Sequence, residues 1–178
     1  MCYNTLMKRD LYKKLGSQLI ERGQWFLKTA FNVKVVRTIS SSQIRTFFKG
    51  LGYDKLQFAD RLYSIIDWKT MKDIIKYSWV NRKKYVSEKF DCDDYALAFK
   101  GHVSEIYNIN SVALAKHIKV TTSSGKEIWH RACVVLAVED NILKAFLLET
   151  QNDKFIEITD SKLLMLGKWR YSLDTIEL

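Results

Sequence analysis

The chain has no proline, although at the usual share of about 5% a soluble protein of its 178 residues would carry roughly nine. That excludes Pro-rich linkers, cis-Pro turns and polyproline ligands. Its three cysteines, Cys2, Cys92 and Cys133, are too few for a disulfide framework and lack the C-x2-C spacing of a zinc site. They suit a chain made in a reducing compartment. No run of 18 apolar residues exists, so no transmembrane helix is expected. The opening MCYNTLMKRDLYKKL has no apolar core of the kind a signal peptide needs. Internal repeats and low-complexity stretches are also missing. What remains is a folding chain: 47% of residues are apolar and 13% aromatic, enough for one domain with a core, or one domain with an extension.

Acidic residues are scarce in one half only. Residues 1–89 carry 19 Lys+Arg against 7 Asp+Glu, and residues 90–178 carry 10 against 13, within a formal charge of +9. A basic half of this kind suits an anionic polymer such as nucleic acid. A solvated basic face explains it as well, because no Arg-rich run, zinc-finger spacing or RNP-like aromatic motif accompanies it.

Apolar spacing predicts a helix over 8–30, through Leu11, Leu15, Leu19, Ile20, Trp25, Phe26 and Leu27, then an extended 32–39. Ser40 with Gln43 forms a capping-box pattern ahead of a helix carrying Ile44, Phe47 and Phe48. Residues 61–66 read as extended, and Asp67 caps a helix with Met71, Ile74, Ile75 and Trp79. Another helix begins near Cys92. The period then changes to two, predicting strands over 111–121, 127–138, 142–149 and 155–158 as an antiparallel meander with tight turns at 123–126 and 139–141. Residues 161–178 read as a short helix and a last strand. The fold class expected is α+β, with N-terminal helices and an antiparallel sheet.

The chemistry concentrates in Phe90-Asp91-Cys92-Asp93-Asp94-Tyr95-Ala96. A thiol at a helix mouth meets backbone N–H groups and the positive end of the macrodipole, which favour a thiolate. His130 follows on a strand and Glu149 at the end of the next, so a hairpin can bring the two side chains together. Cys, His and an orienting acid form a nucleophilic arrangement. Each also has an ordinary use: a buried thiol, a strand histidine, a surface charge. Asp91, Asp93 and Asp94 suit a helix N-terminus as caps, yet three anions oppose a thiolate, a conflict that a bound cation would resolve. Trp129 and Gln151 are candidates for a cleft wall. Cys133 falls on the strand face opposite His130 and reads as core. His102 reads as structural, His117 as a strand-surface residue, and Cys2 as a remote candidate nucleophile.

FDCDDYA resembles the FDCDDFA motif of the papain-like, calcium-dependent cysteine protease domain at the C-terminus of a fungal galactose-binding agglutinin, shared by phage and bacterial relatives. Tyr85 resembles their upstream Tyr, and His130-Arg131-Ala132-Cys133 and Glu149-Thr150-Gln151 stand where they carry His-Ala-x-Asn and Glu-Pro-Gln. The resemblance covers about residues 60–158 and departs at Arg131, Cys133 and Thr150. It implies a papain-like (transglutaminase-like) cysteine peptidase fold over 60–178, with 1–59 as a basic, mainly helical extension. It also implies a peptidase or amide hydrolase acting on a peptide or protein substrate, with Cys92 as nucleophile, His130 as base and Glu149 orienting it. Ca2+, or Mn2+ as the alternative, would be held by Asp93, Asp94 and Glu149. The expected location is the cytoplasm or a virion. The alternatives are an inactive papain-like binding module, a phage structural module, and a hydrolase of cell-wall peptides, since FDC before a helix also looks like the NlpC-type enzymes.

Overall fold

A computed structural model describes residues 15–19, 21–24, 26–27, 29–160 and 163–178. Cys2, Leu11, Ile20 and Trp25 lie outside the described residues. The chain divides into two units, residues 1–33 and 34–178. The first is helical at 15–19, 21–24, 26–27 and 29–30. The sequence reading draws the border at 59/60, whereas these contacts draw it at 33/34.

The second unit is dominated by one ten-stranded sheet: β1 (Arg37–Ser40), β2 (Leu56–Gln57), β3 (Leu62–Asp67), β4 (Val112–Thr121), β5 (Glu127–Glu139), β6 (Ile142–Glu149), β7 (Lys154–Glu157), β8 (Leu164–Leu166), β9 (Trp169–Ser172) and β10 (Thr175–Glu177). Its three helices are α1 (Ser41–Gly50), α2 (Trp68–Tyr77) and α3 (Cys92–Tyr107), with a 3-10 turn at Val80–Arg82. The expected α+β balance of N-terminal helices beside an antiparallel sheet is therefore corrected to a sheet-led fold. The meander β4–β5–β6–β7 is antiparallel throughout, as expected, while the sheet around it adds two parallel pairs, β3 with β5 and β2 with β10. The predicted helix in 161–178 is corrected as well. Its described residues form β8, β9 and β10, because Leu164, Tyr171 and Ile176 each bury on the sheet.

Local chemistry explains the boundaries. Ser40 accepts from the Gln43 N–H at 3.3 Å while the Gln43 side chain accepts from the Ser40 N–H at 2.8 Å, closing a capping box at α1. Asp67 accepts from the Thr70 N–H at 2.8 Å and opens α2. The turn between β5 and β6 has Asp140 at φ 51° and Asn141 at φ 65°, the paired positive angles of a type I′ hairpin. Core residues Ile44, Phe48, Tyr63, Ile65, Val134, Leu136 and Leu147 are fully buried between α1 and the sheet strands. Stacking of Trp68 on Phe146, with ring centroids 3.7 Å apart, joins α2 to β6.

The sheet's ends create the site. β5 is 13 residues long and β6 only eight, so beyond the last ladder pair, Cys133 with Leu148, residues 127–132 of β5 have no β6 partner. On its other edge β5 pairs with β4, whose register slips between Ala115 and Ile118. Such a bulge turns side chains out of the regular alternation.

Candidate functional site

His130 lies on the free part of β5 and Glu149 is the last residue of β6. Their side chains are 9% and 6% exposed, and His130 Nε2 is 2.7 Å from Glu149 Oε1. The hairpin register thus joins the two residues that the sequence paired. Burial alone would lower the imidazole's affinity for a proton. Hydrogen bonds to Cys92 and Glu149, and their charges, outweigh it and raise the His130 pKa to about 9. Nε2 is engaged by Glu149, which leaves Nδ1 available to the Cys92 thiol. Tyr171 completes the back of the group: its ring lies 6.2 Å from that of His130, and its hydroxyl is hydrogen-bonded to Glu149. Burial, with the Glu149 charge behind it, pushes the Tyr171 phenol well above its ordinary range.

Cys92 is the first residue of α3, half-buried, in a cleft of about 210 Å³ lined by Asp93, His117, Trp129, His130 and Arg131. Trp129 is 73% exposed and forms an open wall. Cys133 faces α3 instead, fully buried, and its Sγ donates to the Ala96 carbonyl at 3.3 Å; burial pushes its thiol far above the ordinary range. His102 is buried and accepts from Trp79 Nε1–H at 3.1 Å, a structural role as expected. Gln151 lines a separate neighbouring cleft with His130 and Glu149.

The acidic residues divide their work differently from the expected ligand set. The Asp91 N–H donates to Asp94 Oδ2 at 3.2 Å, so Asp94 serves the cap of α3. Contact with Asp93 holds Asp91 below the usual carboxylate range and pushes Asp93 above it, as two carboxylates sharing a proton must behave. Arg131 Nη1 lies 3.3 Å from Asp93 Oδ2. Among the described residues, the donors that converge are Asp91, Cys92 and Asp93, within 4.8 Å of one another. Glu149 is occupied by His130 and does not join that group.

Sequence reasoning missed two residues. His117 sits in the β4 bulge at φ 54° and turns into the Cys92 cleft, where strand alternation put it on an ordinary surface. Nothing in the sequence marks the bulge. Tyr171 belongs to the stretch whose strands the sequence left ambiguous.

No protein-family profile matches the chain, and no curated protein does either. Several solved structures match its fold, two of them at a TM-score of 0.55 each. One is described as a PSL1a–E64 complex; it is 21% identical, and the match covers 79% of this chain and 51% of that one. The other is Polyporus squamosus lectin bound to the human-type influenza-binding epitope Neu5Aca2-6Galb1-4GlcNAc; it is 17% identical, with 79% and 49% covered. The chain spans about half the length of either. The second of these neighbours is named as a lectin bound to its epitope, and the two matches overturn the assignments drawn from FDCDDYA. Corrected are the resemblance to a calcium-dependent papain-like cysteine protease domain, the papain-like (transglutaminase-like) fold, and the activity as a peptidase or cell-wall hydrolase. The labels hydrolase and thiol protease go with them. The physical reason is visible at α3: two of the motif's acids, Asp91 and Asp94, are the partners that open a helix, so the motif's letters serve a cap.

Proposed function

We propose that residues 34–178 form a ligand-binding module whose cleft presents an imidazole-paired thiol. The observation that carries this is the line Cys92–His130–Glu149, with Glu149 bonded to His130 at 2.7 Å and His130 bonded to Cys92, beside the exposed Trp129. In that line His130 takes the thiol proton and leaves Cys92 as a thiolate, and Glu149 holds the ring. A peptide or protein segment lying along Trp129 is the proposed ligand.

The basic half supports a second contact. Arg82, Lys83, Lys84 and Lys89 lie in an exposed run, tethered to α3 where the Tyr95 hydroxyl donates to the Lys83 carbonyl. An anionic polymer on this run would bind with a steep salt dependence, read by retention on heparin across a salt series. Among the described residues no helix is long and apolar enough to cross a membrane.

The expected Ca2+ is a proposal about the same helix mouth. Asp91 and Asp93 are hard oxygen donors whose mutual repulsion is relieved by a shared proton, a chemistry that fits a hard cation with water completing its shell. These two would hold it, and it would supply positive charge beside Cys92.

The test of the thiol reading is alkylation by iodoacetamide followed by mass spectrometry of each cysteine. Cys92 is expected to react faster than free glutathione at pH 7, and His130→Ala to slow it at least tenfold. A Cys92 rate equal to that of glutathione and unmoved by His130→Ala removes the reading.

A further inference from the structure

A second cleft, of about 440 Å³, also borders His130 and Glu149, but Cys92, Asp93 and Trp129 take no part in it. One wall is the β6–β7 loop with Gln151 and Asn152, continued by Lys154 at the start of β7, and another is the β8–β9 hairpin with Lys168 and Trp169. In that hairpin Leu166 pairs with Trp169, leaving Gly167 and Lys168 as a two-residue turn. Gly167 has φ 65°, the positive angle that a type II′ turn requires at its first central position. The turn therefore carries Lys168 at its tip and sets Trp169 directly after it.

The charges in this cleft do not balance. Lys154 and Lys168 form none of the ion pairs among the described residues. The one carboxylate in the wall, Glu149, is buried and already engaged by His130 and by the Tyr171 hydroxyl. Asn152 Oδ1 accepts from the Lys154 N–H at 3.0 Å, which leaves the Asn152 amide NH2 as its outward donor. Trp169 is 41% exposed and offers a flat apolar face beside these donors. Among the described residues that line the cleft, two cations, amide donors and an aromatic wall meet no carboxylate other than the engaged Glu149. No helix terminus contributes to the wall, so the cleft lacks the array of backbone N–H groups that favours a phosphate dianion.

We propose that this cleft is a subsite for a carboxylate carried on a polar organic ligand, with Lys154 and Lys168 as its charge partners and Trp169 as the surface on which the ligand's body rests. The subsite goes beyond the thiol reading and does not require Cys92 to react.

The test follows the Trp169 indole N–H in the 15N-labelled full chain, at fixed ionic strength, with Trp169→Phe to assign the signal. The probes are glucuronate against methyl glucoside, and acetyl-dialanine against its C-terminal amide, so that the two arms separate a sugar acid from a peptide carboxylate as the source. A carboxylate probe is expected to shift the signal saturably, with its neutral counterpart at least tenfold weaker. The double variant Lys154→Ala/Lys168→Ala is expected to lose at least tenfold in affinity while its other amide signals and its Cys92 alkylation rate stay those of the parent. Equal binding of the neutral counterparts, full affinity in the double variant, tighter binding of inorganic phosphate, or no shift with any probe at 50 mM would each overturn the subsite. A slow Cys92 with a carboxylate-selective Trp169 would remove the thiol reading alone.

Discussion

At the scale of residues, the site depends on one buried contact, His130 with Glu149. Removing one partner of such a pair leaves the other uncompensated, which costs about 3–5 kcal/mol. Glu149→Ala is expected to approach that loss in urea unfolding, and Glu149→Gln, which keeps an acceptor, to lose about 1–3 kcal/mol. The linked pH dependence has a definite sign. The His130 pKa is raised from 6.5 to about 9 on folding, so its stabilisation is complete below pH 6.5 and is lost as the pH rises through about 9. Urea midpoints taken from pH 6 to pH 10 are expected to fall across that window in the parent and to fall much less in His130→Asn. The positions of Cys92, His130 and Glu149 were readable because local letters announce each: a capped helix start, an alternating strand and a strand end. His117 was not readable, because its place depends on a bulge whose cause is the three-dimensional pairing of β4 with β5, β9 and β10.

At the scale of elements, helix starts were the most legible features. Ser40 with Gln43 and Asp67 with Thr70 both bond as their spacing predicts. Ser40→Ala and Asp67→Ala are each expected to lower stability by about 1 kcal/mol in chemical denaturation, without altering Cys92 alkylation. The cap at α3 differs because it shares its residues with the thiol. If Asp91 and Asp93 take a cation there, adding Ca2+ after chelation raises the thermal midpoint of the parent, and the rise disappears in Asp93→Asn. An unchanged midpoint counts against that site. The meander strands were also legible from their period of two. Of the last three strands only the final one, β10, was expected; β8 and β9 were not legible, since they are only three to four residues long and belong to a hairpin whose partner is the far half of β4.

At the scale of the whole molecule, the buried cluster among the described residues runs from Ile39 to Leu178. The fragment 34–178 is therefore expected to unfold cooperatively, within a few degrees of the full chain, and to keep the alkylation rate of Cys92; differential scanning calorimetry and mass spectrometry read both. Sheet dominance was the feature that composition concealed. Its ten strands include short edge pieces, and the parallel contacts of β3 with β5 and β2 with β10 join distant segments that no local period reveals. A seven-residue motif identified a helix mouth correctly and the class of protein incorrectly, because capping and reaction chemistry draw on the same acidic residues. The central claim is that Cys92 and His130 act as a linked pair. NMR titration of the His130 ring in the parent and in Cys92→Ala tests it most directly. The account predicts a titration near pH 9 in the parent that moves down when the thiol is removed; the same midpoint in both proteins would contradict it.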